Sequence, residues 1–172
     1  SHCYFLTISN EGNGGIPYAS FGNSLGCNPG YYHSGTSILL SGAAPETDWQ
    51  ISGWTGTIND ESIATTNTVV MPDENHTAAV VYMMIPLEAP TLIAPANSTE
   101  TAEYSIFFEW SEVLDASEYT IQISSEESFQ TITIEKTSEI SNLILTGLTP
   151  DTWYWRVMAT GTNPDSLWSE VW

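Results

Sequence analysis

The chain has 172 residues, 41% of them hydrophobic and 12% aromatic, enough apolar material for the cores of two small domains. Twenty-one acids face two bases, Lys136 and Arg156, for a formal net charge of −19. Such a surface repels phosphate backbones and anionic lipid heads, so nucleic acid and membrane insertion are excluded as expected partners. Only 13% of residues are charged, so the remaining polar surface must be Ser, Thr, Asn and Gly, a composition suited to an exported protein.

No long window carries a 3.6-residue apolar period. Short β-branched and aromatic runs broken by Gly, Pro, Asn and Asp predict an all-β fold of two small domains in tandem, residues 1–85 and 86–172. Strands are expected at "CYFLTIS", "TSILLSGAA", "WQISGWTGT", "NTVVM" and "AAVVYMM". In the first of these, Tyr4, Leu6 and Ile8 share one face, which should be buried. Trp49 and Trp54 flank a glycine-containing strand and read as core plugs. The longest apolar run, Ala78 to Leu87, is far short of the roughly 18 residues of a membrane span. No signal peptide is visible, as expected of a mature or excised piece.

Cys3 and Cys27 bracket one short β-rich segment. In an extracellular setting a single disulfide is the natural reading, worth about 3 kcal/mol by chain entropy, with two buried free thiols as the alternative. No histidine lies at ligand spacing in sequence from either cysteine, so no metal is expected there.

Three prolines in "IPLEAPTLIAP", Ile85 to Pro95, make a stiff connector. Residues 1–85 carry seven acids and no base, and the remainder fourteen acids and two bases, nets of −7 and −12. Beyond the connector, "SIFFEW" points Ile106, Phe108 and Trp110 to one side, and "EYTIQIS" does the same with Tyr119, Ile121 and Ile123. "QTITIEK", "LILTG", "WYWRVMAT" and "SLWSEVW" follow, and turns at about every ten residues fit a seven-strand sandwich. Either the chain is longer than these 172 residues, or the last of these strands is short and leaves an open edge, which is both a pairing hazard and a docking site for another copy.

The second half resembles a fibronectin type III domain. The carrying residues are "LTPDTWY" with Leu148, Pro150, Thr152 and Tyr154, then "YWRV" from Tyr154 to Val157, and "WS" at Trp168 and Ser169. The resemblance implies a tyrosine corner built on Leu148, Pro150 and Tyr154, with the Tyr154 hydroxyl bonded to backbone upstream. Strict alternation puts Trp153, Trp155, Val157 and Ala159 on the core face and Tyr154, Arg156 and Met158 on the other. Burying both Tyr154 and Trp155 would then require a bulge near Tyr154. Arg156 should face outward and stack on Trp168. The first half resembles the divergent internalin-type B repeat of bacterial surface proteins, on "LTIS", "EGNGG", "YYHSGTSILLSG", "ISGWTG" and "NTVVMPDENHTAAVVY". Both resemblances imply non-catalytic modules of secreted or cell-surface proteins.

The three histidines, His2, His33 and His76, stand in no H-E-x-x-H context, and no G-x-S-x-G occurs, so no enzyme is expected. No cofactor is implied. Ca²⁺ is the one ion whose ligand type fits, at "NDES" (59–62), "PDEN" (72–75) and "SSEESF" (124–129), although none has EF-hand spacing and solvated turns explain them as well. Asn75 and Asn97 head N-x-Ser/Thr sequons in expected loops, so a glycoprotein is chemically open. The expected role is structural, a spacer or the subunit of an extracellular fibre assembled head to tail from copies of itself. The alternative is a carbohydrate-binding or adhesin module contacting glycans or other surface proteins. A row of solvent-facing tryptophans would favour the alternative, with Trp155→Ala as its test, and tryptophans buried between sheets would favour the structural role.

Overall fold

The computed structural model describes residues 2–172. The chain divides into two compact units, the first ending at Ile85 and the second starting at Pro86. Regular structure among the described residues is entirely β-strand, so the fold is all-β.

The first unit contains β1 (Cys3–Glu11), β2 (Tyr18–Ala19), β3 (Tyr31–His33), β4 (Ser37–Ser41), β5 (Trp49–Thr55), β6 (Asn67–Val70) and β7 (His76–Met84). One sheet has the order β3-β1-β7-β5 and the other β2-β4-β6. β1 pairs in parallel with β7, from Leu6 opposite His76 to Glu11 opposite Val81. The expected alternation holds: Leu6 is buried, with Tyr4 and Ile8 packed beside it, while Phe5 and Thr7 face out. Ile38, Leu40, Val69, Met71, Val80 and Tyr82 fill the space between the sheets. β2 and β3 are not anticipated by the sequence pattern, because at two and three residues they are too short to display a period.

The "GWTG" of β5 has a steric cause. The β5–β7 register shifts between Ile51 and Gly53, a bulge that turns both Ile51 and Trp54 into the core. A Cβ on Gly53 would lie 2.8 Å from the Asp60 carbonyl oxygen, the same oxygen that accepts the Trp54 N–H at 2.7 Å. Gly56 sits at φ +69°, where a side chain is strained and would strike the Thr77 carbonyl. The glycine-rich loop after β1 is pinned by Tyr82, whose hydroxyl donates to the Gly15 carbonyl (2.7 Å) and accepts from the Ala44 N–H (2.9 Å).

The second unit contains β8 (Leu92–Ala94), β9 (Ser105–Trp110), β10 (Ala116–Ser124), β11 (Ile134–Ser138), β12 (Asn142–Thr146) and β13 (Tyr154–Gly161). The sheets are β12-β9-β8 and β11-β10-β13, antiparallel throughout, the strand arrangement of an immunoglobulin-like sandwich. Trp110, Ile121, Ile123, Trp155, Val157 and Ala159 are buried between them. Edge-to-face ring pairs, Phe108 with Trp155 and Trp110 with Tyr119, tie the two sheets together at centroid distances of 5.0 and 5.6 Å.

The structure corrects three expectations for this unit. The β13–β10 pairing runs without irregularity past Tyr154, and the register shift lies instead between Ala116 and Glu118. The bulge is unnecessary because Tyr154 faces away from the core and only Trp155 is buried. β11 begins at Ile134, so the first half of "QTITIEK" is not strand. The closing "SLWSEVW" is not a regular strand, yet it leaves no open edge on β13.

That edge is closed by a register of three residues against two. β13 aims the N–H and C=O of Trp155, Val157 and Ala159 at its outer edge. Trp172 exchanges both bonds with Trp155 (2.8 and 3.1 Å). The Ser169 N–H donates to the Val157 carbonyl (2.8 Å), while the Val157 N–H donates to the Ser169 hydroxyl oxygen (3.0 Å). Ser166 treats Ala159 identically, at 2.9 and 2.8 Å. Both hydroxyls then donate to the next carbonyls along, of Leu167 and Glu170, at 2.7 Å each. Residues 166, 169 and 172 thus answer 155, 157 and 159 reversed, with serine oxygens standing where a regular strand would supply carbonyls.

Ser169→Ala leaves the Val157 N–H facing a methyl group, so unfolding in urea should show a loss of about 1–3 kcal/mol. Leu167→Ala on the exposed side should change stability by less than about 0.5 kcal/mol. In the first unit, the Asp60 carboxylate accepts from the Thr57 N–H and hydroxyl, both at 2.8 Å. The bond from the Thr57 backbone holds its pKa below the ordinary value. A depressed folded pKa means the contribution is complete above the unfolded carboxylate range near about 4 and is lost as the pH falls through the folded value. Asp60→Asn should therefore flatten that acid limb in a pH series of thermal melts.

Candidate functional site

Arg156 is the most elaborated polar residue of the second unit. It stands on β13 opposite Gln122 of β10. Its guanidinium lies between two rings, 4.2 Å from the Phe129 centroid and 4.4 Å from that of Trp168. Nε and Nη2 both donate to Gln122 Oε1, at 3.0 and 2.7 Å, and Gln122 Nε2 donates to Glu135 Oε2 at 2.6 Å. The amide relays the cation to the carboxylate without direct contact. Burial between the rings disfavours the charged form and draws the Arg156 pKa down from its ordinary value. The sequence pattern points to Trp168 as a stacking partner and not to Phe129, which is buried in a turn at φ +53° and gives no periodic signal.

The corner is built differently from the family pattern. Trp153 Nε1 donates to the Thr149 carbonyl, four residues upstream, at 2.9 Å. Trp153 thus makes the corner bond expected of Tyr154. Leu148 and Trp153 both pack against the core. Below the corner, a cleft of about 870 Å³ opens within the second unit, lined by Tyr104, Pro150, Trp153, Tyr154 and Trp172, with Glu100 and Asp151 also on its walls.

In the first unit Cys3 and Cys27 form a disulfide, with their Cα atoms 5.9 Å apart. β3 brings His33 beside it: His33 is the antiparallel partner of Cys3, and its Nδ1 lies 3.6 Å from Cys27 Sγ. Spacing along the chain hides this contact, because it is made across strands. Among the described residues, these three are the one set of at least three His, Cys, Asp or Glu side chains close enough to share a metal ion. Asp60 caps the Thr57 turn, and the Ser124 hydroxyl donates to the Thr131 carbonyl and accepts from the Glu126 N–H. Asn75 and Asn97 are both exposed, Asn75 using Oδ1 to accept the Phe5 N–H at 2.8 Å.

The tryptophans divide cleanly. Trp54, Trp110 and Trp155 are buried, and Trp49, Trp153, Trp168 and Trp172 are half-buried, so none of the seven is exposed. Trp155, only 3% accessible, is a core residue and no ligand platform.

These features define two all-β modules, each with its own core. The first is a two-sheet unit punctuated by obligatory glycines, the second an immunoglobulin-like sandwich. Residues 4–86, nearly the whole of the first unit, match the family model for the divergent InlB B-repeat domain. No curated protein matches the chain. Among solved structures, a Fn3-like protein from Clostridium thermocellum is 17% identical, with 49% of this chain and 84% of that one covered and a TM-score of 0.36. The human OSCAR ligand-binding domain is 12% identical over 98% of both chains, with a TM-score of 0.33.

Arg156→Ala removes both ring contacts and the Gln122 bonds. It should cost about 1–2 kcal/mol in urea and alter Trp168 fluorescence. Arg156→Lys should recover only part of this, since a compact ammonium cannot stack flat between two rings.

Proposed function

We propose that the protein is a non-catalytic structural module of an extracellular or cell-surface protein, acting as a spacer. The observation that carries this reading is the placement of its tryptophans. A module that stacks on sugar rings presents flat aromatics to solvent, whereas here no tryptophan is exposed and three are fully committed to cores. The disulfide supports an oxidising location.

The finer form of this reading is a fibre subunit that associates head to tail. Exchange along β13 would have to displace six hydrogen bonds, so that edge does not favour it. The edge of β12 is better placed. It ends its sheet, lacks charge and proline, and carries Ile144 at 63% exposure.

The alternative, a carbohydrate-binding or adhesin module, is favoured by the aromatic-walled cleft beside Trp153. Its carboxylates would repel anionic glycans, leaving neutral or cationic ones.

Light scattering and negative-stain imaging of the purified chain at high concentration separate these forms. The spacer reading expects monomers. Filaments that Ile144→Lys abolishes would establish the fibre instead. Glycan-array binding that Trp153→Ala removes would establish the alternative and sink the spacer reading.

A further inference from the structure

The Cys3–Cys27–His33 cluster does more than staple a loop. We propose that, once its disulfide is reduced, it forms a binding site for a borderline-soft divalent cation, with Zn²⁺ as the best match, so that an ion replaces the covalent staple. This stands apart from the spacer reading and does not depend on it.

The donor set is the first ground. Two thiolates and an imidazole suit Zn²⁺ and disfavour the hard oxygen-seeking ions that the acidic turns would attract. A zinc ion holds thiolates at about 2.3 Å and imidazoles at about 2.0–2.1 Å in a tetrahedron, which sets a sulfur-to-nitrogen separation of about 3.5 Å. The Cys27 Sγ to His33 Nδ1 distance is already 3.6 Å. All three ligand atoms lie within 4.8 Å of one another.

The surroundings are the second ground. His33 Nε2 lies 3.2 Å from the Leu25 carbonyl oxygen. With an ion on Nδ1, Nε2 would donate to that carbonyl, the carbonyl-oriented arrangement common behind metal-bound histidines. Nδ1 is also 3.1 Å from the His2 carbonyl, a contact the ion would displace. β1 and β3 hold Cys3 and His33 in register. Cys27 sits on a turn beside Gly26, at φ +84°, with open space around that glycine and Leu25 fully out in solvent. The two sulfurs can therefore part without disturbing the core. All three side chains are half-buried, reachable by a reductant and by an ion, with a fourth coordination position left for water. The first half of the chain carries seven acids and no base, which raises the local cation concentration.

The chemistry balances with a dithiol as reductant. It supplies two electrons and two protons and closes to its own cyclic disulfide, and Cys3 and Cys27 become thiols. Binding of the ion as a bis-thiolate then releases two protons, so affinity should rise with pH.

The test uses the full chain, reduced and held anaerobically, titrated with Co²⁺ as a spectroscopic probe and then with Zn²⁺. The expected result is a thiolate-to-cobalt charge-transfer band with the intense visible absorption of tetrahedral Co²⁺, bleached by Zn²⁺ at one equivalent and absent from the oxidised chain. His33→Ala should weaken binding by about tenfold or more. Circular dichroism is followed throughout. If reduction loosens the first unit, Zn²⁺ should restore its β signal in the wild type and fail to do so in His33→Ala. Equal affinity in oxidised and reduced chains would overturn the proposal. So would equal affinity in wild type and His33→Ala, or an octahedral cobalt spectrum.

Discussion

A protein with two bases among twenty-one acids cannot hold itself together with ion pairs, and this shortage shapes its polar contacts throughout. Most buried polar groups are therefore satisfied by neutral hydrogen-bonding groups. Serine hydroxyls close the edge of β13, a tyrosine hydroxyl pins the glycine-rich loop, and an amide stands between the guanidinium of Arg156 and the carboxylate of Glu135. The guanidinium itself is held by ring faces, an interaction that persists where solvent-exposed Coulomb attraction would be screened. Neutral hydrogen bonds are also indifferent to the net charge, so a core built on them tolerates a strongly acidic surface.

The legible parts of the sequence are those governed by period. Alternation in "SIFFEW", "EYTIQIS" and "CYFLTIS" is a local property, since successive side chains on a strand must point to opposite faces, and it identifies the core faces directly. The illegible parts depend on contacts across strands or on departures from the period. Residues 166–172 advance three for every two on β13, a departure from the strand expected of "SLWSEVW" that a period of two cannot reveal. The bulge at Ser52 breaks the alternation of β5, and the carbonyl that demands a glycine beside it belongs to Asp60, seven residues beyond Gly53. His33 meets the disulfide only because β3 pairs with β1, and three residues of β3 carry no signal. At the corner the observed bond to upstream backbone comes from Trp153. Trp153 has a donor within reach of a carbonyl four residues back, and once it takes that position Tyr154 is free to follow strict alternation outward.

The second unit guards its strand edges by several different means. β11 ends its sheet with Glu135 and Lys136 side by side and exposed, a charged edge that resists pairing. β8 is three residues long and runs into Pro95, whose missing N–H stops the ladder. β13 is sealed by its own downstream segment. These guards leave β12 as the plain edge of the unit, and Glu139, three residues before it, is exposed. Two such edges approaching each other bring like charges together, and at an ionic strength where the screening length is about 8–10 Å that repulsion is only partly damped. The repulsion between such edges fits the single copies that the spacer reading expects, and added salt would weaken it.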